Sequence, residues 1–103
     1  MSERPLLVVH DDPDVREILV ADLRAAGYPD VVAAADGEQG LEMACRLLPR
    51  LVVADIHMPG LDGFQLLRIL RQRGEASEIP VVLLSAVWTV GAMAAAWLGA
   101  PRD

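Results

Sequence analysis

Hydrophobic and polar residues form two patterns that alternate along the chain. Four short apolar runs, at 5–10, 30–35, 51–55 and 80–85, are bounded by turn-forming residues, as is typical of buried strands. Between them, apolar residues recur three and four positions apart, which predicts amphipathic helices, and a last helical stretch covers roughly 89–98. Single helices between successive strands predict right-handed βαβ units and one parallel sheet.

Each of the three central helices begins at an aspartate. Asp12, ahead of Pro13, is placed to cap the first helix, which Gly27 ends. Asp36 and Asp62 are each followed three residues later by a glutamine, as in a capping box. The predicted buried stripes are Val15, Ile18, Leu19 and Leu23; Leu41, Ala44, Cys45 and Leu48; and Phe64, Leu66, Leu67 and Leu70.

Composition narrows the class of protein. A length of 103 residues suits a single domain, and a hydrophobic fraction of 53% with only 4% aromatic residues predicts an aliphatic core. The net charge of −6, with scattered basic residues, argues against a nucleic-acid surface. The one cysteine, Cys45, excludes an internal disulfide. The N-terminus lacks the layout of a signal peptide, so we expect a cytoplasmic protein.

Polar side chains follow three of the predicted strands: Asp11 and Asp12 the first, Asp55 the third and Ser85 the fourth. The carboxyl ends of parallel strands meet at one edge of a sheet, where ligands bind. Three carboxylates there repel one another unless a cation lies among them, and an all-oxygen site suits Mg²⁺ or Mn²⁺. A metal-neutralised Asp55 can attack phosphorus to form an acyl phosphate, with Ser85 bonded to a phosphoryl oxygen.

Plainer interpretations of the same residues stay open. An acidic pair at a helix N-terminus is more often only a cap, and a lone Ser85 is more often a strand-end residue. For His10 we favour a strand-end side chain without a ligand role. For His57, which follows Asp55 in a loop, the backbone carbonyl is the better candidate ligand. Polar residues follow three strands that end at the same edge of the sheet, and this coincidence favours a metal and phosphoryl site over the plainer interpretations.

Together these residues resemble the receiver domain of two-component response regulators. The likeness rests on the acidic pair, on Asp55, on the turn at 58–63, on Ser85-Ala86 and on Gly99-Ala100, and it covers essentially the whole chain. It implies a flavodoxin-like, three-layer α/β/α fold with a parallel sheet of order 2-1-3-4, formed by residues 1–103 as a single receiver domain.

The resemblance also implies roles for the site residues. Asp55 accepts a phosphoryl group from a sensor histidine kinase or a phosphotransfer protein. Asp12, Asp55 and the His57 carbonyl ligate Mg²⁺ (or Mn²⁺), and Asp11 binds it through water. The Ser85 hydroxyl reorients toward the phosphoryl group. Such a domain is a signalling phosphoacceptor and not a conventional enzyme, with at most self-catalysed phosphorylation and dephosphorylation.

The C-terminal end departs from this pattern. The resemblance implies a fifth strand, a lysine and a fifth helix, so we expect a C-terminally short form whose fifth strand is missing or supplied by a partner. Residues 81–100 contain no charged residue, and a helix apolar on all sides must be covered. We therefore expect a homodimer through this apolar C-terminal segment. A membrane span is disfavoured, because residues 81–85 are needed as a strand.

Two other functions remain open. The chain is alternatively a degenerate receiver, which keeps the fold but acts as an unphosphorylated protein-interaction or dimerisation module. A less favoured alternative is a haloacid-dehalogenase-like phosphatase, because Asp12-Pro13-Asp14 resembles the Asp-x-Asp motif of that family. That interpretation gives Asp55 no role.

Overall fold

The computed structural model describes residues 4–85, which form a parallel sheet flanked by helices. The strands are β1 (Leu6–Val9), β2 (Val31–Ala34), β3 (Leu51–Asp55) and β4 (Val81–Leu84). The α-helices are α1 (Pro13–Ala25), α2 (Gly37–Leu47) and α3 (Gly63–Leu70), and a short 3₁₀ helix (Gly74–Glu78) precedes β4. The strand order is β2-β1-β3-β4, which confirms the α/β fold and the sheet order expected from sequence.

Every described strand pair is parallel, and its register sets which residues meet at the carboxyl edge. Along β1 and β3, Val9 lies opposite Ala54. Along β3 and β4, Asp55 lies opposite Leu84. The residues that follow these strands are therefore brought together at one edge. The expected helix at 89–98 and the apolar C-terminal segment lie outside the described residues.

Apolar side chains cover both faces of the sheet. Alternate strand residues such as Val8 and Val53 pack with Leu19 and Leu23 of α1. The residues between them, such as Val9, pack on the other face against a layer that includes Ala44, Leu66 and Leu70 from α2 and α3. Burial on both faces explains why the strands are apolar at consecutive positions. Within residues 4–85, no helix has the length and hydrophobicity needed to cross a membrane.

Aspartate side chains fix the starts of all three described α-helices, as expected. Asp12 accepts a hydrogen bond from the N–H of Asp14 at 2.9 Å. Asp62 and Gln65 exchange two hydrogen bonds of 2.9 Å, which is a complete capping box. At α2 the capping box is incomplete. Asp36 accepts from the N–H of Gln39, but the Gln39 side chain accepts from the N–H of Ala35, the residue before the cap.

Three residues predicted to be buried are exposed instead. Ile18 is 50% exposed, Phe64 is 53% exposed, and Cys45 lies on the surface of α2. Each lies at the border of its stripe or beyond it. Phe64 precedes the buried Leu66 by two residues, which turns it by about 200° around the helix axis. A stripe only slightly wider than about 100° does not reach that position.

The contrast between Leu66 and Phe64 can be tested by truncation. We expect Leu66→Ala to lower the free energy of unfolding by about 2–5 kcal/mol, because Leu66 is fully buried and its loss leaves a cavity. Phe64→Ala on the same helix is the control and should change it by less than about 1 kcal/mol. Urea denaturation measures both values, and equal losses would contradict the orientation of α3 described here.

Candidate functional site

The carboxyl ends of β1 and β3 bring one imidazole and two carboxylates together. Val9 and Ala54 are paired, so the next residue on each strand, His10 and Asp55, lie side by side, and Asp11 follows His10. One ligand-type atom from each of His10, Asp11 and Asp55 lies within 4.8 Å of the others. The edge predicted from sequence therefore carries a group of polar side chains.

The ring of His10 lies between the two carboxylates of this group. Nε2 of His10 lies 3.5 Å from Oδ2 of Asp55, and Nδ1 of His10 lies 3.5 Å from Oδ1 of Asp11. The side chains of His10 and Asp55 are only 12% and 13% exposed, whereas that of Asp11 is 38% exposed. Asp55 is thus a sheltered carboxylate, and Asp11 forms the more open side of the group.

His10 is anchored through its main chain as well as its ring. Its N–H donates to the carbonyl of Ala34 at 3.2 Å, which extends the pairing of β1 with β2 by one residue. The guanidinium of Arg16, on α1, donates to the His10 carbonyl at 2.7 Å. The backbone N–H of Asp12 donates to Nδ1 of the ring at 3.1 Å. These bonds hold the imidazole beside Asp55.

The two members of the acidic pair lie in different surroundings. Asp11 joins the group with Asp55, but Asp12 lies outside it. The Oδ1 atom of Asp12 instead accepts hydrogen bonds from the N–H groups of Asp14 and Val15, at 2.9 and 3.3 Å. The first N–H groups of a helix have no partner within the helix, so a carboxylate at this position is drawn into capping. The resemblance had implied Asp12 as the direct metal ligand.

Ser85 and His57 lie next to residues of this edge. Ser85 directly follows Leu84, which is opposite Asp55, and its side chain is exposed. The N–H of Ile56 donates to the Leu84 carbonyl at 2.9 Å, so β3 and β4 stay paired up to this point. His57 comes two residues after Asp55 and is exposed. Both residues therefore follow strands whose carboxyl ends form this edge.

Close backbone packing fixes the loop that follows Asp55. At Gly63, the first residue of α3, an added Cβ would lie 2.5 Å from the Asp55 carbonyl oxygen and 3.0 Å from Cδ2 of Leu83. At Gly37, the first residue of α2, an added Cβ would overlap the carbonyl of Leu61 in the same loop. The absence of side chains at these positions lets both helices approach the loop closely.

A concavity of about 400 Å³ lies at the edge of the sheet opposite to Asp55. Its lining comes from the segments that precede β1, β3 and β4, and it includes Arg4, Arg50, Glu75 and Glu78. This lining mixes both signs of charge, and it includes neither His10 nor Asp55, the two sheltered polar side chains of the carboxyl edge. The carboxyl edge remains the better candidate for chemistry, because ligands bind at that edge in open α/β sheets.

Sequence reasoning assigned His10 no role beyond that of a strand-end side chain, and the structure places it inside the group. The signal was present, because a histidine stands directly between the strand and the acidic pair. Recognising it required the register of β1 against β3, which the order of strands alone does not provide.

Comparison with known proteins gives a consistent match. Residues 6–100 match the family model described as the response regulator receiver domain. The chain is 37% identical over 82 residues to the DNA-binding dual master transcriptional regulator RpaA of Synechocystis, and 40% identical over 81 residues to the DNA-binding response regulator MtrA of Mycolicibacterium smegmatis. These matches cover 80% and 79% of this chain but 34% of each relative, so the chain spans about a third of their length.

Solved structures agree with the sequence matches. The receiver domain of the sensor histidine kinase PA1611 from Pseudomonas aeruginosa, described with a magnesium ion coordinated in its active site cleft, is 30% identical with a TM-score of 0.75. That likeness covers 82% of this chain and 69% of the other. The chemotaxis protein CheY4 of Vibrio cholerae is 25% identical with a TM-score of 0.74, over 96% of this chain and 82% of its own.

The approach of Gly63 to Asp55 can be tested by adding one methyl group. We expect Gly63→Ala to lower the free energy of unfolding by about 1–3 kcal/mol, because the new Cβ meets backbone that cannot move aside freely. Gly60→Asn is the control: Gly60 has a φ of 76° and no neighbouring atom within 4 Å of an added Cβ, and asparagine tolerates that conformation. Urea denaturation should show a smaller loss for Gly60→Asn, and the reverse order would contradict the close approach.

Proposed function

Since this chain belongs to the family of response regulator receiver domains, we propose that it is the phosphoacceptor module of a two-component phosphorelay, with Asp55 as the acceptor. Receiver domains take a phosphoryl group from histidine kinases, and they are signalling phosphoacceptors rather than enzymes. The observation that carries the proposal is the sheltered carboxylate of Asp55, which lies in a group with Asp11 and His10 at the carboxyl edge of the sheet.

The proposed reaction is a nucleophilic substitution at phosphorus. A carboxylate oxygen of Asp55 forms a bond to phosphorus while the bond between phosphorus and the leaving group of the donor breaks. The product is an acyl phosphate on Asp55, and the donor leaves with the electron pair. Little covalent chemistry is required of the protein, so its main contribution is to orient Asp55 and offset the charge on the phosphoryl oxygens.

The carboxylates of Asp11 and Asp55 fit a hard divalent cation, because Mg²⁺ is bound in proteins by one or two carboxylates together with other oxygen donors. Bound there, Mg²⁺ or Mn²⁺ would offset negative charge on the phosphoryl oxygens. We propose Asp11, Asp55 and the backbone carbonyl of His57 as the ligands. Asp12, expected from sequence as a direct ligand, is engaged as the cap of α1 in this structure.

Ser85 is the proposed hydroxyl donor to a phosphoryl oxygen. Its support is its place: it follows Leu84, the residue opposite Asp55, and it is exposed at the same edge. A hydroxyl group there donates one hydrogen bond without adding charge to a group that already holds two carboxylates. Asp55 and Ser85 together are the proposed acceptor and its neighbouring donor.

The partners of the module are proposals as well. The phosphoryl donor is a sensor histidine kinase or a phosphotransfer protein. Two of the relatives are named as DNA-binding regulators and the chain spans about a third of their length, so we propose that its output runs through a partner or a further segment. The single-domain division at 1–103, the homodimer through the apolar C-terminal segment and the cytoplasmic location stay predictions from sequence.

Phosphorylation of Asp55 can be measured directly by mass spectrometry. Incubated with Mg²⁺ and acetyl phosphate, the wild-type chain should gain the mass of one phosphoryl group, and Asp55→Asn should abolish the gain. Asp30→Asn is the matched control, since Asp30 is an exposed aspartate just before β2, and it should behave as wild type. A wild-type chain without added mass would favour the unphosphorylated interaction module.

The division of roles within the acidic pair gives a second test. We expect Asp11→Asn to weaken Mg²⁺ binding at least about tenfold, because it removes a charged ligand. Asp12→Asn should leave the affinity within about threefold, since asparagine caps a helix as well as aspartate does and the lost charge is exposed and screened. Isothermal titration calorimetry measures both. Equal losses would restore Asp12 as a ligand.

A further inference from the structure

We propose that His10 is a positioning residue for Asp55, whose ring Nε2–H donates a hydrogen bond to Oδ2 of Asp55 while the backbone N–H of Asp12 holds the ring in the required tautomer. This inference rests on the proposed function, because it gives His10 a part in presenting the phosphoacceptor. The bond would limit rotation of the Asp55 carboxylate, so that phosphorus meets it in one orientation.

The first support is the tautomer. A neutral imidazole carries one proton, so one ring nitrogen donates and the other accepts. The N–H of Asp12 points at Nδ1 from 3.1 Å, and an N–H group can only donate. Oδ1 of Asp11 also lies 3.5 Å from Nδ1, but the Asp12 N–H is the closer contact, so we assign Nδ1 as the acceptor and place the ring proton on Nε2. The hydrogen bond at one nitrogen thus fixes what the other nitrogen can do.

The second support is the direction in which Nε2 points. It lies 3.5 Å from Oδ2 of Asp55, which is longer than a hydrogen bond but close to that range. The two side chains are 12% and 13% exposed, so a donor and an acceptor face each other in a sheltered place. Catalytic hydrogen bonds are often long before the reactant binds and shorten in the reacting complex.

The third support is the rigidity of the ring's attachment. The main chain of His10 is bonded on both sides, to the Ala34 carbonyl at 3.2 Å and to the Arg16 guanidinium at 2.7 Å. With Nδ1 also bonded, Nε2 is the remaining polar atom of the residue and the one that faces Asp55. A residue bonded at two main-chain atoms and one ring atom positions its neighbour more accurately than one on a free loop.

The same geometry separates this role from metal ligation. A metal ion requires a lone pair on a ring nitrogen, and in this tautomer the Nδ1 lone pair accepts from Asp12 while Nε2 carries the proton. Binding a cation through the ring would break the bond to Asp12 or move the proton. The carboxylates of Asp11 and Asp55 are the better donors for the cation, and the role of His10 is to orient Asp55.

The kinetic test compares two variants of His10 with acetyl phosphate and Mg²⁺. We expect His10→Ala to lower the maximal rate of phosphorylation about tenfold to a hundredfold, with the donor concentration at half-maximal rate little changed. His10→Gln should recover most of the rate, because its side-chain amide places an N–H close to the position of Nε2. Wild-type rates in His10→Ala, or no recovery in His10→Gln, would overturn the proposal.

Two measurements do not depend on phosphorylation. Nitrogen NMR of the imidazole should show Nε2 protonated and Nδ1 unprotonated, and Asp55→Asn should shift the Nε2 resonance. A protonated Nδ1, or an Nε2 resonance that does not change in Asp55→Asn, would overturn the role of His10.

Calorimetry should give His10→Ala nearly the wild-type Mg²⁺ affinity, and a large loss would make His10 a ligand instead. If wild type gains no phosphoryl mass, the proposed function fails, and NMR still decides the contact of His10 with Asp55.

Discussion

The parallel register between β1 and β3 is the constraint on which the site depends. With Val9 opposite Ala54, the next residues, His10 and Asp55, meet at the carboxyl edge. A shift by one residue would turn the side chains of a strand to the other face of the sheet. Both faces are apolar and covered by helices, so such a shift would expose one buried layer and bury the wrong residues. The hydrophobic core therefore selects which polar groups meet.

Much of the fold follows from the chain itself, because its signals are local. The apolar runs predicted the four described strands. Three aspartates predicted where the α-helices begin: Asp12, Asp36 and Asp62. The wrong predictions of burial concern residues at the edge of the apolar stripe of a helix. Periodicity shows that a helix has a buried side, but the width of that side depends on the neighbouring layer. Phe64 and Ile18 therefore lie outside it, although both are large and apolar.

The site was predictable in place but not in detail. The edge and the place of Asp55 on it follow from parallel topology. Which of Asp11 and Asp12 faces Asp55 depends on which carboxylate the helix start draws into capping. The first turn of α1 presents N–H groups without partners, and Asp12 satisfies two of them. Asp11 is then left to face Asp55. The sequence already placed Asp12 as the cap of this helix, but the resemblance also gave it a ligand role, and the structure shows its side chain in the cap.

One residue links the start of α1 to the chemistry of the edge. The side chain of Asp12 caps the helix, and its backbone N–H bonds the ring of His10. Helix ends open locally at far lower free energy than the core of a domain. If the first turn of α1 opens and carries Asp12 with it, the ring loses the N–H that faces Nδ1, and either ring nitrogen can then carry the proton. Under the proposed role of His10, fraying at the start of α1 would therefore also loosen the orientation of Asp55.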